Sequence, residues 1–358
     1  MENKCGMKQV LEYFQSVSVE EWFARVENEL KAFAKAELAD SEEVETERYA
    51  LDKDEYQWKA SEIITVKEVK VGNQQIEDAL INGIAAPVLV IDEPMTVRQL
   101  EDLLDEIPLH YAAVNFEVKD ADLVKSFLTK LYKSKGLWTN LKGTFAIDTF
   151  EDIEITRLIE QVNAVLPQFK LLSVDAQKHY KGKSQTTEEL ANALLDADKI
   201  FKRLIPHDLS ENRIQQQIFI TFNTDNHIFT SIAKIKAFRQ LWLRLAKIHD
   251  VAFPLSPNIH LRTLPNSETQ TPDALIIQTM IQVIAGIVSE ANQIVLTASS
   301  EIDSADHSAL TRAIHESIKV AYEFPFYKKT TKTRSYINEM SEQLAEIAWQ
   351  KFEEAKDN

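Results

Sequence analysis

A chain of 358 residues, 44% of them apolar, suits one large domain or two ordinary ones and can bury a sizeable core. Its 56 acidic against 40 basic residues give a net charge of −16, a surface that repels phosphate backbones and anionic lipid and so argues against nucleic acid or membrane as partners. No apolar run approaches the roughly 18 residues of a membrane span, the opening MENKCGMKQVLEYF has no signal-peptide core, and the lone Cys5 forms no internal disulfide, so a soluble cytoplasmic protein is expected.

Residues 7–35 read as two short amphipathic helices. Ser18 and Glu21 have the spacing of a capping box, and Val19, Trp22, Phe23, Val26 and Leu30 recur at helical period. Residues 36–60 are acidic and aperiodic, so 1–60 is read as a helical arm with an acidic linker. From 61 onward, strand-like runs alternate with helical ones. The strand candidates are 86–92, 111–118, 143–148, 169–176, 217–225, 258–264 and 292–299, with 63–69 or 317–323 as an eighth. Helical segments fall at 96–107, 121–135, 154–166 and 187–205. In the last, Leu190, Leu194, Ala197, Phe201 and Leu204 form a stripe, and Thr186 and Glu189 have capping-box spacing. A long helix, 228–248, and a C-terminal one over 335–358 follow. Buried strands each followed by a helix imply a parallel sheet, and the count fits a closed (β/α)8 TIM-type barrel over 61–358.

Glycine is scarce. Seven residues, at 6, 72, 83, 136, 143, 182 and 286, stand too far apart for a dinucleotide fingerprint, a P-loop or a G-x-S-x-G elbow. A barrel does its chemistry at the C-terminal ends of its strands, and those ends here carry Asp92, Asn115, Glu117, Asp148, Asp175, Asn223, Asp225, His260, Arg262, Ser299 and Ser300. The same residue types also cap the helix that follows a strand, so the rim is open to both readings. Asp225-Asn226-His227 is similar to the D-x-H-x-x-G motif of corrinoid domains, but the sixth residue is Thr230 and no glycine-rich turns follow. His315-Glu316 opens like H-E-x-x-H, but position 319 is Lys. Lys234, Lys236, Arg239, Arg244 and Lys247 make the helix 228–248 basic, either to hold an anionic ligand or acidic partner or as a solvated face suited to the helix dipole; its apolar stripe is Ile228, Ile232, Ile235, Trp242 and Leu245.

Several segments resemble the methylmalonyl-CoA mutase family, in order and over nearly the whole chain. SIAKIKAFRQLW resembles its E-I-A-K-x-R-A-A-R-x-L-W signature. NQQIEDALINGIAAPVLVID resembles the N-x-x-A-L-x-x-G segment, LLSVDAQKHYKGKSQTTEELANAL the one ending in E-L-A-x-x-L, ETQTPDALI the Q-T-S-G region, and RSYINEMSEQLAEIAWQKFEE the closing helix. SVSVEEWFARVENELK is similar to the arm of the family's small subunits.

The departures bear on function. The family's substrate histidine column falls on Lys178, with His179 one place off. Its Ala-Gly-Ala is Gly182-Lys183-Ser184, the Glu of E-I-A-K is Ser231, two arginines of that helix are Lys236 and Gln240, and the Gly-Gly of the last loop is Thr333-Arg334. The chain ends where a linker to a cobalamin domain would begin.

The resemblance implies a non-catalytic small subunit that stabilises a large catalytic chain as a heterodimer. The alternative is an acyl-CoA-binding barrel served by a cobalamin domain on a separate chain. On this reading no cofactor or metal is bound here and adenosylcobalamin resides in the partner. Asp175, Lys178, His179, Asn223 and Arg262 are a vestigial substrate rim, and Tyr13, Phe14, Trp22 and Phe23 of the arm face the partner.

Overall fold

The computed structural model describes residues 58–109, 111–119, 121–133, 139–147, 150–182, 185–264, 272–297, 304–322 and 335–356. The arm and its Tyr13, Phe14, Trp22 and Phe23 lie outside these, as do Asp148, Ser299 and Ser300.

The strands are β1 (Lys59–Thr65), β2 (Val88–Ile91), β3 (Ala113–Val118), β4 (Lys142–Ile147), β5 (Phe169–Lys170), β6 (Leu172–Asp175), β7 (Ile218–Thr224), β8 (Asn258–Thr263) and β9 (Gln293–Leu296). All their pairings are parallel, in the order β5-β4-β3-β2-β1-β9-β8-β7-β6. The two ends of this sheet, β5 and β6, are separated in sequence by Leu171 alone. They are halves of one strand, the first paired to β4 and the second to β7. That continuity wraps the sheet into an α/β barrel of the expected (β/α)8 type.

The helices around it are α1 (Val69–Ile81), α2 (Val97–Leu103), α3 (Asp122–Lys133), α4 (Asp152–Val165), α5 (Thr186–Leu204), α6 (Glu211–Gln217), α7 (Ile228–Ile248), α8 (Pro272–Val288), α9 (Ser304–Tyr322) and α10 (Ser335–Lys356).

Three sequence expectations are corrected. The eighth strand is β1, which starts at Lys59, four residues before the run 63–69 and inside the segment read as linker. The run 317–323 is not a strand: residues 317–322 are the last turns of α9. Thr186 and Glu189 do not close a capping box. The cap residue of α5 is Gln185, with no side-chain hydrogen bond, because the Glu189 carboxylate is turned inward to a lysine.

The main core lies between the strands and the helices. Strand residues with one parity, such as Val114, Phe116, Phe145, Ile220, Phe222, Ile259 and Ile294, are buried against the apolar stripes of the surrounding helices. Leu190, Leu194, Ala197, Phe201 and Leu204 of α5 are all buried, as are Ile232, Ile235, Trp242 and Leu245 of α7. Four phenylalanines concentrate this core under α3. Phe116 and Phe145 stack at 4.8 Å between ring centroids, and Phe127 and Phe169 close on Phe145 at 5.5 Å each. Among the described residues no helix is long and apolar enough to cross a membrane.

Candidate functional site

The opposite parity of each strand faces the barrel lumen, and in this chain much of that face is polar, with Val88, Phe219 and Val295 among its apolar members. Register sets the levels. Lys59, Gln293, His260, Thr221 and Asp175 are successive partners across β1, β9, β8, β7 and β6. Ile63, Val88, Asn115, Thr144 and Lys170 form a second such series. A line of buried hydrogen bonds crosses the lumen. Thr144 Oγ1 donates to Asn115 Oδ1 (3.0 Å), Asn115 Nδ2 to Gln293 Oε1 (3.2 Å), Gln293 Nε2 to Ser61 Oγ (3.0 Å), and Ser61 Oγ to the Ala86 carbonyl.

Above that line, the Arg262 guanidinium of β8 pairs with the Glu117 carboxylate of β3. The strand order puts β3 and β8 on opposite sides of the barrel, so this ion pair is a crossbar through the lumen. Beside it remains a void lined by Val88, Asn115, Phe116, Glu117, Thr144, Phe219, Thr221, His260 and Arg262 among others, with room for about one water molecule. Asn115 and His260, read from sequence as rim residues, therefore belong to the lumen: each is the third residue of its strand.

Burial governs the charge states here. It lowers the Arg262 guanidinium to about 10. His260 is pushed down to about 3 by burial and by the charges of Lys59 and Lys170, and is neutral at ordinary pH. Outside the lumen, His315 of α9 is likewise lowered to about 4 by burial, against the opposing effect of its contact with the Ser61 carbonyl at 3.4 Å. Both histidines are more basic in the unfolded chain, whose imidazoles titrate near 6.5. The stability they contribute is complete above that value and is lost as pH falls toward about 4. We expect the unfolding free energy to decline there with a histidine contribution of up to about 2–3 kcal/mol per pH unit, about half of it absent in His315→Gln. Urea melts of both proteins between pH 7 and pH 4.5 measure this, and equal slopes would contradict it.

The rim is held by a second constellation. Lys234 Nζ of α7 bonds both carboxylate oxygens of Glu189 on α5, at 3.0 Å each, and the Asn223 carbonyl at the end of β7 (2.8 Å). Both side chains are buried, 4% and 1% exposed, which marks a structural clamp rather than a solvated pair. Burial raises the Glu189 carboxyl, and Lys234 pulls it back down. Sequence reasoning missed this pair. Spacing alone puts Glu189 at a cap and Lys234 on a basic face, although the two stand in two of the motifs that carry the resemblance.

The remaining predicted rim residues separate. Asp175 is exposed and caps the short turn 176–179, accepting from the Gln177 N–H at 3.1 Å. Lys178 and His179 both reach Asp196 on α5, at 2.8 Å each. Asn223 is buried in β7 and paired in register with Arg262. Asp225 accepts from Tyr180 Oη (2.8 Å), the His227 N–H (2.8 Å) and Ser231 Oγ (3.2 Å).

The residues of Asp225-Asn226-His227 do not fit a cobalt-ligating motif. The carboxylate that would orient the imidazole is occupied by Tyr180 and Ser231, and His227 is the exposed N-cap of α7. Nor do the described residues contain a group of three or more His, Cys, Asp or Glu able to hold a metal. Most of the cations of α7 are used within the fold. Besides Lys234, Lys236 bonds Asn338 (3.1 Å), Arg239 the Glu290 carbonyl (2.6 Å) and Arg244 Glu346 (3.1 Å).

A parallel barrel whose lumen is crossed by an ion pair, with a rim clamped from α7 to α5, defines an α/β barrel of the TIM type. The chain belongs to the methylmalonyl-CoA mutase family, whose model, described as methylmalonyl-CoA mutase, matches residues 93–358. Two curated relatives are each called methylmalonyl-CoA mutase small subunit. The one from Streptomyces virginiae is 22% identical over 79% of this chain and 49% of its own length. The one from Porphyromonas gingivalis is 23% identical over 83% and 52%. The chain thus spans about half the length of these relatives. Among solved structures, a phospho-2-dehydro-3-deoxyheptonate aldolase from Thermotoga maritima aligns with 13% identity and a TM-score of 0.41 over 75% of this chain and 69% of that one, a likeness too distant to carry an argument.

Proposed function

We propose that this chain serves as a structural, small-subunit component of a methylmalonyl-CoA mutase assembly. It has no turnover of its own and keeps a cobalamin-dependent catalytic chain, which interconverts methylmalonyl-CoA and succinyl-CoA, in its working shape. In this reading the partner binds the adenosylcobalamin.

The observation that carries it is the barred lumen. A pocket for a drug-sized ligand takes about 300–1,000 Å³, and an acyl-CoA is larger, whereas the Glu117–Arg262 pair crosses the lumen and the void beside it has room for about one water. The rim supports the same reading, since His179 is engaged by Asp196 and the family's signature Glu is Ser231, bonded to Asp225.

A partner-covered surface is supported by α8, which carries no charged side chain from Ala274 to Ser289. Its Ile277 is 59% exposed and Ile281, one turn on, is half-buried, on a face that a solvated helix would make polar.

The test has two arms. Titration of the isolated chain with methylmalonyl-CoA is expected to give no saturable binding. Mixed with a catalytic mutase chain, the wild type is expected to form a stoichiometric complex, and Ile277→Glu one at least tenfold weaker by sedimentation. Micromolar acyl-CoA affinity in the isolated chain would instead support the alternative, a substrate-binding barrel that works with a cobalamin domain on another chain.

A further inference from the structure

The lumen is rich in cations. Lys59 and Lys170 sit on its inward register, Lys59 level with Gln293 and His260, and Lys170 level with Thr144. Arg262 is the third cation, and Glu117, which it already engages, is the carboxylate that lines the void. Among the described residues neither Lys59 nor Lys170 forms an ion pair; Lys170 Nζ donates to the Gln216 carbonyl. The charges of both are felt at His260, a wall of the void. Arg262 Nε is buried without a hydrogen-bond acceptor.

Three partly buried cations face Glu117 and, at the exposed end of β6, Asp175, which leaves an excess of positive charge that is costly unless countered. The void beside them has donors on its walls, from Arg262 and Thr221, and space for a single atom-sized guest. Its one opposing group is the Glu117 carboxylate, which Arg262 neutralises.

We propose that the barrel lumen is a binding site for a monoatomic anion, chloride under ordinary conditions, held against Arg262 between β3, β4, β7 and β8. The anion supplies the counter-charge that the lumen's own side chains lack. It couples strands on opposite sides of the barrel and stabilises the closed sheet. Larger anions such as phosphate are excluded by size. This inference stands independently of the small-subunit reading, because it concerns the isolated chain.

Crystals of the full chain soaked in sodium bromide test it directly. The expected result is an anomalous bromine peak inside the lumen beside Arg262. Bromine peaks on the surface only, with a water in the lumen, would overturn it.

Thermal melts give a second, solution readout. At equal ionic strength the midpoint in sodium chloride is expected to exceed that in sodium gluconate by at least ~2 °C once chloride is well above its dissociation constant. Lys170→Met removes one cation without disturbing the Glu117–Arg262 pair and is expected to reduce that difference by half or more. Equal midpoints in the two salts for the wild type would refute the site, as would an undiminished difference in Lys170→Met.

Discussion

Replacing Lys234 by methionine is expected to cost the folded barrel about 3–5 kcal/mol, because it leaves the Glu189 carboxylate buried and unpaired. Glu189 is 1% exposed, and Lys234 bonds both its oxygens at 3.0 Å. The substitution also strips the Asn223 carbonyl of its donor, at the point where β7 ends and the chain turns toward α7. The deficit has a pH signature. Burial already raises the Glu189 carboxyl, and losing the ammonium raises it further above its unfolded value. Stability in the variant is therefore recovered at low pH, where the group is protonated in both states, and lost as pH rises. Urea denaturation at pH 5 and pH 8 should show the larger gap at pH 8. Lys234→Met combined with Glu189→Leu should regain most of the loss, since an apolar pair of similar volume carries no buried charge. A single-variant cost under about 1 kcal/mol would mean that the pair is solvated.

Phe145→Ala is expected to be as damaging, at about 3–5 kcal/mol. Phe145 is fully buried and sits between Phe116, stacked at 4.8 Å, and Phe127 and Phe169 at 5.5 Å. Collapse around the gap is obstructed. On the neighbouring Gly143, a Cβ would already meet the Val114 carbonyl oxygen at 2.0 Å, so the backbone is packed as closely as it can be. Phe145→Leu should recover about half the loss by filling part of the cavity. Tyr111→Ala, at a position 90% exposed, should change stability by no more than ~0.5 kcal/mol in the same denaturant series.

How well the strands could be read from sequence depended on how their two faces are used. β7, IFITFNT, is buried at every residue and reads as a strand on sight. β1 does not. Its inward face carries Lys59 and Ser61, and its outward Glu62 is paired with Arg312 of α9 at 3.0 Å, so its first half, Lys59–Glu62, holds a single apolar residue. That half consequently merged with the acidic segment before it. The run 317–323 failed in the opposite direction, because a short β-branched stretch at the end of a helix has the composition of a strand.

The sequence by itself determined the parallel barrel, through apolar runs spaced by amphipathic helices. It also determined the absence of a glycine-built anion cradle, and the family, through the order of its motifs. Only the tertiary structure decided which polar residues face one another. Glu117 and Arg262 meet because closure of the sheet brings β3 opposite β8. Glu189 and Lys234 meet because α5 and α7 pack side by side. Helical and strand periods state which face a residue takes, but not which residue stands across from it. In a barrel that second fact is set by strand order and register, and here it turned a list of candidate rim residues into a barred lumen and a buried clamp.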